Sequence, residues 1–248
     1  MVSTSGTEQR TSTGSDRKLV SNKKAEKREI AKGKILHATL DLIADEGLAS
    51  LSHRNIAKAA GVQLAMTTYY FGTLENLIES AFDLHVDRVQ PWRNEIEHRA
   101  DEVYRHFAPT SDISSVTPVD DADGEAFAEA LTAQIVEIIF EEATEKKKMI
   151  SAECQFIFAQ YLPESLDKKV RALDESLWDI AEKSCRRLGS SRPRVDGQLL
   201  LFTMRELQLI SVRSRFPPDR EMMTSCIGRL LRGCQFQDVP ALSAETIR

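Results

Sequence analysis

The side chains best equipped for chemistry cluster in one short stretch of this 248-residue chain. Ser52, Arg54, Gln63, Thr67, Thr68, Tyr69 and Tyr70 bring hydroxyl, amide and guanidinium groups together with the apolar Leu64 and Met66. Such groups serve phosphate oxygens and base edges rather than bond cleavage. Gln63 can pair bidentately with adenine, and Leu64 or Met66 can touch a thymine methyl, with Thr67 completing the set that faces base edges. Thr68, Tyr69 and Tyr70 suit phosphate hydrogen bonds, and Ser52 and Arg54 can anchor the backbone from the preceding helix. Ser52 also reads as a helix cap and Tyr69 as part of a core. The chain has no nucleotide-binding glycine loop, G-x-S-x-G, H-E-x-x-H or singled-out acid pair, so no catalytic residue, cofactor or enzyme activity is expected. His98 and His106 lack an obvious third ligand, and no metal is expected.

The pattern around these residues sets their geometry. Ile35, Ala38 and Leu42 recur at helical spacing from about Ala25, and Gly47 ends that helix. Ser52 caps a short second helix carrying Ile56, Ala57 and Ala60, which stops at Gly61. Val62 and Gln63 lead into a third helix, roughly Leu64 to Tyr70, and a fourth starts near Leu74 and runs towards Pro91. Ile56, Val62, Phe71 and Leu77 are assigned to the core. Beyond Pro91, helices are expected over about 92–108, 124–147, 149–161, 165–188, 194–214 and 219–234, with no strand. The least ordered stretch should be 108–124.

Charge supports a two-part layout. The net charge is −5, yet residues 1–75 hold eleven Lys/Arg against eight Asp/Glu, a net of +3 that leaves −8 for the rest. A basic head on an acidic body suits a protein that presents one end to nucleic acid. The longest apolar runs fall short of a membrane span and no signal segment is evident, so a cytoplasmic protein without membrane contact is expected. The four cysteines read as buried free thiols; Cys226 and Cys234, two helical turns apart, have the one spacing that could form a redox pair.

The run from residue 49 to 82 resembles the DNA-binding segment of the TetR family of bacterial transcriptional regulators. Arg54-Asn55-Ile56-Ala57 with Ala60-Gly61-Val62 is similar to that family's second helix and turn. Thr68-Tyr69-Tyr70-Phe71 followed by Glu75-Asn76-Leu77-Ile78 is similar to its recognition helix and the start of its fourth helix. Leu74 departs from the pattern, where a phosphate-binding lysine is common. The resemblance implies an all-α protein: an N-terminal three-helix helix-turn-helix domain plus a C-terminal helical bundle that binds a small molecule and dimerises. The expected divisions are a disordered arm 1–24, the DNA-binding domain 25–75, the effector-binding and dimerisation domain 76–236 and a tail 237–248.

In the larger unit, Phe107, Phe127, Phe156, Trp178 and Phe202 are the pocket candidates, with Phe140 and Phe158 beside them and His85, His98, His106 and Glu153 as polar ones. Leu200, Met204 and Leu207 on one helix and Met223, Ile227 and Leu230 on the next form stripes suited to a four-helix dimer interface. The expected partners are double-stranded DNA, a second copy of the chain and a small-molecule effector that releases the protein, as a repressor, from a palindromic operator. The alternatives are a transcriptional activator of the same fold and a helical ligand-binding or interaction protein without sequence-specific DNA binding.

Overall fold

The computed structural model describes residues 13–112, 114, 116–214 and 219–234, with side chains from Ala25 onward. Nine α-helices follow one another among the described residues, with no strand. They are α1 (Thr13–Glu46), α2 (His53–Ala60), α3 (Leu64–Phe71), α4 (Leu74–Phe107), α5 (Gly124–Thr144), α6 (Lys147–Ile157), α7 (Glu164–Arg187), α8 (Pro193–Arg213) and α9 (Arg220–Gly233).

Two boundaries differ from the sequence expectation. Helix α1 begins at Thr13, so residues 13–24, expected to be disordered, continue the helix that periodicity placed from Ala25. Ser, Lys and Asp in that segment carry no apolar stripe, and the helix propagates from the packed turns that follow. Residues 1–12 and the tail 237–248 lie outside the described residues. Pro91 does not end a helix either, because α4 runs unbroken through it to Phe107. Proline removes one helical hydrogen bond and crowds the preceding turn. Val89 and Arg93, buried on either side of Pro91, hold the backbone in register by packing.

Two clusters of buried side chains make the core. One joins Ile35, Ile43, Ile56, Leu77 and Phe82 with Phe156, Leu166 and Val170. It therefore crosses position 75/76, where a domain boundary was expected: α1 lies on α6, with Ser151 Oγ donating to the Ala44 carbonyl at 2.7 Å and Lys148 Nζ 3.0 Å from Asp45. The other joins Tyr104, Phe127, Leu131, Ile139, Leu200, Leu207, Met223 and Ile227. The described residues of the 108–123 connection are irregular but tied down. Tyr104 donates to the Thr117 carbonyl at 2.9 Å, and the Val119 amide donates to the Arg187 carbonyl at 2.9 Å.

Helices α7 and α8 cross closely at Gly197, where a Cβ would lie 2.8 Å from the Glu182 amide nitrogen. Gly197→Ala should therefore lower unfolding stability by about 1–3 kcal/mol. Gly33→Ala, in the open flank of α1 where a Cβ meets nothing within 4 Å, should raise it by about 0.5–1 kcal/mol. Urea denaturation of the two variants checks the contrast, and equal midpoints would contradict the tight crossing.

Candidate functional site

The segment from Ser52 to Phe71 folds as two short helices joined by a tight turn. Ser52 caps α2 through a reciprocal pair: its Oγ accepts from the Asn55 amide at 3.2 Å, and its own amide donates to Asn55 Oδ1 at 2.7 Å. Gly61 closes α2 at φ 65°, a left-handed conformation that a side chain would resist. The Val62 amide then bonds the Ala57 carbonyl at 3.0 Å, reversing the chain into α3. Ile56 and Leu77 are fully buried below this turn, with Val62 and Phe71 packed partly buried against them.

The outward face of α3 holds most of the expected contact residues. Gln63, Leu64 and Thr68 are exposed, Tyr69 is 70% exposed, and Ser52 and Arg54 flank them on α2. Thr67 is the correction. It is completely buried, its hydroxyl donating to the Leu64 carbonyl at 2.8 Å and lying 3.0 Å from His53 Nδ1, so it positions α3 against α2 and cannot reach a base edge. Met66 and Tyr70 are half-buried and pack on the core below. Arg28, unremarked in the sequence, joins the face from α1, its guanidinium 5.8 Å from the ring centres of both Tyr69 and Tyr70. Nothing in local spacing signals this, because it depends on how α1 crosses α3.

The body encloses a cavity of about 80 Å³ among α4, α5, α6, α7 and α8. The five aromatic candidates do not line it. Phe107, Phe127 and Phe156 are core side chains, Trp178 is half-buried with its indole Nε1 left without a hydrogen-bond partner among the described residues, and Phe202 points outward at 52% exposure. Large rings fill space and so settle in the packed clusters, leaving aliphatic residues such as Ile96, Leu131, Ile135 and Leu201 around the cavity. Of the wider aromatic set only Phe158 reaches it, and of the polar candidates only Glu153. His85 stands behind Glu153, its Nε2 3.2 Å away, while His98 pairs with Glu102 on α4.

Two buried carboxylates in this wall behave oppositely. Burial opposes ionisation of Glu153, but the His85 hydrogen bond and the charges of Arg93 and Arg205 outweigh it and hold the carboxyl below its ordinary value. Arg93 donates to Glu153 at 2.9 Å and to the Leu173 carbonyl and Ser176 Oγ at 2.8 Å each. Burial pushes Glu142 up to about 7, only partly offset by hydrogen bonds from Trp92 Nε1 at 2.9 Å and Gln208 Nε2 at 2.5 Å. Burial also pushes the Cys154 thiol, in the same wall, up to about 11, leaving it unreactive at neutral pH.

The cysteine expectation is corrected as well. Cys226 is exposed, and Cys234 is buried beside Cys185, whose thiol is raised by their mutual hydrogen bond and by burial. Among the described residues no group of three or more His, Cys, Asp or Glu is placed to hold a metal ion, and no helix is long and apolar enough to cross a membrane.

The stripes proposed for dimerisation face inward. Leu200, Leu207, Met223 and Ile227 are buried in their own subunit's core, Met204 and Leu230 pack against it, and Leu200 and Met204 also line the cavity. A helical stripe reads as apolar whichever partner it meets, so periodicity could not choose between core and interface. The outward face of α8 instead shows Val195, Leu199, Phe202 and Ile210, and that of α9 shows Met222.

A helix-turn-helix head whose fourth helix runs on into a cavity-bearing helical body is the class this geometry defines. Residues 35–81 match the pattern of the bacterial regulatory proteins, tetR family. Over 52 residues the chain is 42% identical to the HTH-type transcriptional regulator BetI 1 of Chromohalobacter salexigens, a stretch covering 21% of this chain and 26% of that relative. A transcriptional regulator from Rhodococcus sp. Rha1 has a similar fold, with TM-score 0.57 and 20% identity over 84% of this chain and 99% of the other. So does a TetR transcription regulator from Haloarcula marismortui, with TM-score 0.56 and 14% identity over 82% and 97%. Residues 35–81, the helix-turn-helix head of this chain, thus carry the tetR-family pattern.

The Glu142 carboxyl links stability to pH. Its folded value lies above the ordinary 4.5, so the folded state holds a proton that the unfolded state releases, and stability falls as pH rises from about 4.5 to about 7. Glu142→Gln mimics the protonated form. It should raise stability by about 3 kcal/mol at pH 8 and by little at pH 4.5. Thermal melts across that range check it; an equal gain at every pH would contradict the assignment.

Proposed function

We propose that the protein is a transcriptional regulator that binds double-stranded DNA as a homodimer and is released from a palindromic operator, as a repressor, by a small molecule in the body cavity. The observation that carries the reading is the exposed face of α3, with Gln63, Leu64, Thr68 and Tyr69 presented between Arg28 and Arg54 on a segment of tetR-family pattern. Base reading falls to Gln63 and Leu64, and backbone anchoring to Arg28, Ser52, Arg54, Thr68 and Tyr69. A cytoplasmic location accompanies this reading.

Coupling follows from α4. Its first turn packs beneath α3 through Leu77, and three to five helical turns further on its Val89, Trp92, Arg93 and Ile96 line the cavity. An 80 Å³ space is small for an effector, so occupancy displaces α4 and with it the recognition helix. Two such helices read successive major grooves only at a separation of roughly 34 Å, so a small change at the cavity weakens both contacts.

Titration of the DNA upstream of the chain's own gene at several salt concentrations tests this. Arg28→Ala should weaken binding across sequences and reduce the salt slope by about one, whereas Gln63→Ala should relax preference at one base pair by about 1–3 kcal/mol. Salt-independent or sequence-blind binding by the unaltered protein would contradict the reading.

Dimerisation is assigned to the outward faces of α8 and α9. Leu199→Glu with Phe202→Glu should shift the dimer to monomer in sedimentation while leaving helicity unchanged. A dimer untouched by the pair would place the interface elsewhere.

A further inference from the structure

Reading the cavity as an effector site leaves the chemistry of the effector open, and the charges in its wall are informative. Two basic side chains line it, and both are engaged: Arg93 with Glu153 at 2.9 Å, and Arg205 in an ion pair with Asp174. Two acidic side chains line it, and only Glu153 has a cationic partner. Glu142 is 3% exposed, and its two oxygens are occupied by neutral donors, the indole of Trp92 and the amide of Gln208. No Lys, Arg or His comes within ion-pair distance of it among the described residues. Most of the remaining wall is aliphatic, including Ile96, Leu131, Ile135, Ile138 and Leu177.

We propose that the cavity receives an apolar cation, an amine or quaternary ammonium with a hydrocarbon body, whose charge rests against the carboxylate of Glu142. The proposal rests on the effector-site reading above. A buried carboxylate held by neutral donors is oriented and desolvated but not neutralised, and an incoming cation supplies the missing charge. An anion would find both arginines already paired and two carboxylates near it. Hydrocarbon fits the aliphatic wall.

Binding of a permanent cation therefore expels the Glu142 proton. The charges acting on Glu142 are those of Arg93 on α4 and Glu153 on α6, with the Cys154 thiol on α6 also interacting with it; Arg205 on α8 lines the same cavity with Asp174 on α7 behind it, His85 on α4 stands behind Glu153, and Glu141, next along α5, is paired outward with Arg99. All of them are retained in Glu142→Gln, so the difference between the two proteins isolates this carboxyl.

The test uses the full chain without DNA and three probes of matched shape: benzyltrimethylammonium, its neutral isostere neopentylbenzene, and phenylacetate. Calorimetry should show the cation binding in preference to the other two. Its affinity should climb about tenfold per pH unit below pH 7 and level off above, with about one proton released per cation at pH 6. Glu142→Gln should weaken the cation by at least about thirtyfold, remove the proton release and leave the neutral isostere unaffected. Equal or better binding of phenylacetate or the neutral probe, no binding of the cation, or a pH slope that persists in the variant would each overturn the proposal. Adding operator DNA afterwards is a separate measurement: a cation that binds with these signatures yet releases no DNA refutes the coupling and leaves the ligand assignment intact.

Discussion

The buried carboxylate of Glu153 is the contact on which the architecture turns. It stands on α6 and receives Arg93 and His85 from α4, while the same arginine reaches the Leu173 carbonyl and Ser176 on α7. Three helices from distant parts of the chain are thus held by one buried charged cluster. Removing one partner of such a pair strands a charge in low dielectric, at a penalty of about 3–5 kcal/mol, which makes the relative placement of α4, α6 and α7 sharply specified. Arg93 and Glu153 also stand in the wall of the cavity.

From this anchor the head and body follow as one mechanical piece. Ala152 and Phe156 on the α6 that carries Glu153 pack with Ile35 and Ile43 of α1 and with Phe82 of α4, so the core under the helix-turn-helix is continuous with the wall of the cavity. Pro91 lies in the middle of α4, where packing by Val89 and Arg93 overrides its local preference to end a helix. An unbroken α4 thus joins the cavity wall to the residues beneath α3 as one helix, where a break at Pro91 would have left a joint.

The two faces of α8 divide the remaining work. The inner face, through Leu200, Met204 and Gln208, closes the cavity and fills the second core cluster. The outer face leaves Val195, Leu199, Phe202 and Ile210 exposed among the described residues, a run of large apolar side chains that a solitary surface helix rarely shows. Gly197 lets α7 approach the same helix closely from the side.

Helix order, the capped α2, the Gly61 turn and the exposed edge of α3 were legible in the sequence because each depends on residues within a few positions of one another: Ser52 with Asn55, Gly61 with Val62, the stripe of Ile56 and Ala57. The tetR-family pattern is legible for the same reason. Inward and outward could not be read locally, since Leu200 and Phe202 both belong to apolar stripes and only the position of α7 and α5 decides which is buried. Thr67 and Thr68 are alike in type and adjacent, yet one is sealed beneath His53 and the other faces out. Phe107, Phe127 and Phe156, expected around a pocket, went to the core, where large rings fill space densely, and the cavity wall includes a charged pair, Arg93 with Glu153, whose partners lie 60 positions apart. The sequence by itself determined the helices and the turn between α2 and α3, which are governed by short-range hydrogen bonds and periodicity. Only the tertiary structure decided which charges meet, since that depends on distant helices being brought within a few ångströms in a medium where an unpaired charge is not tolerated.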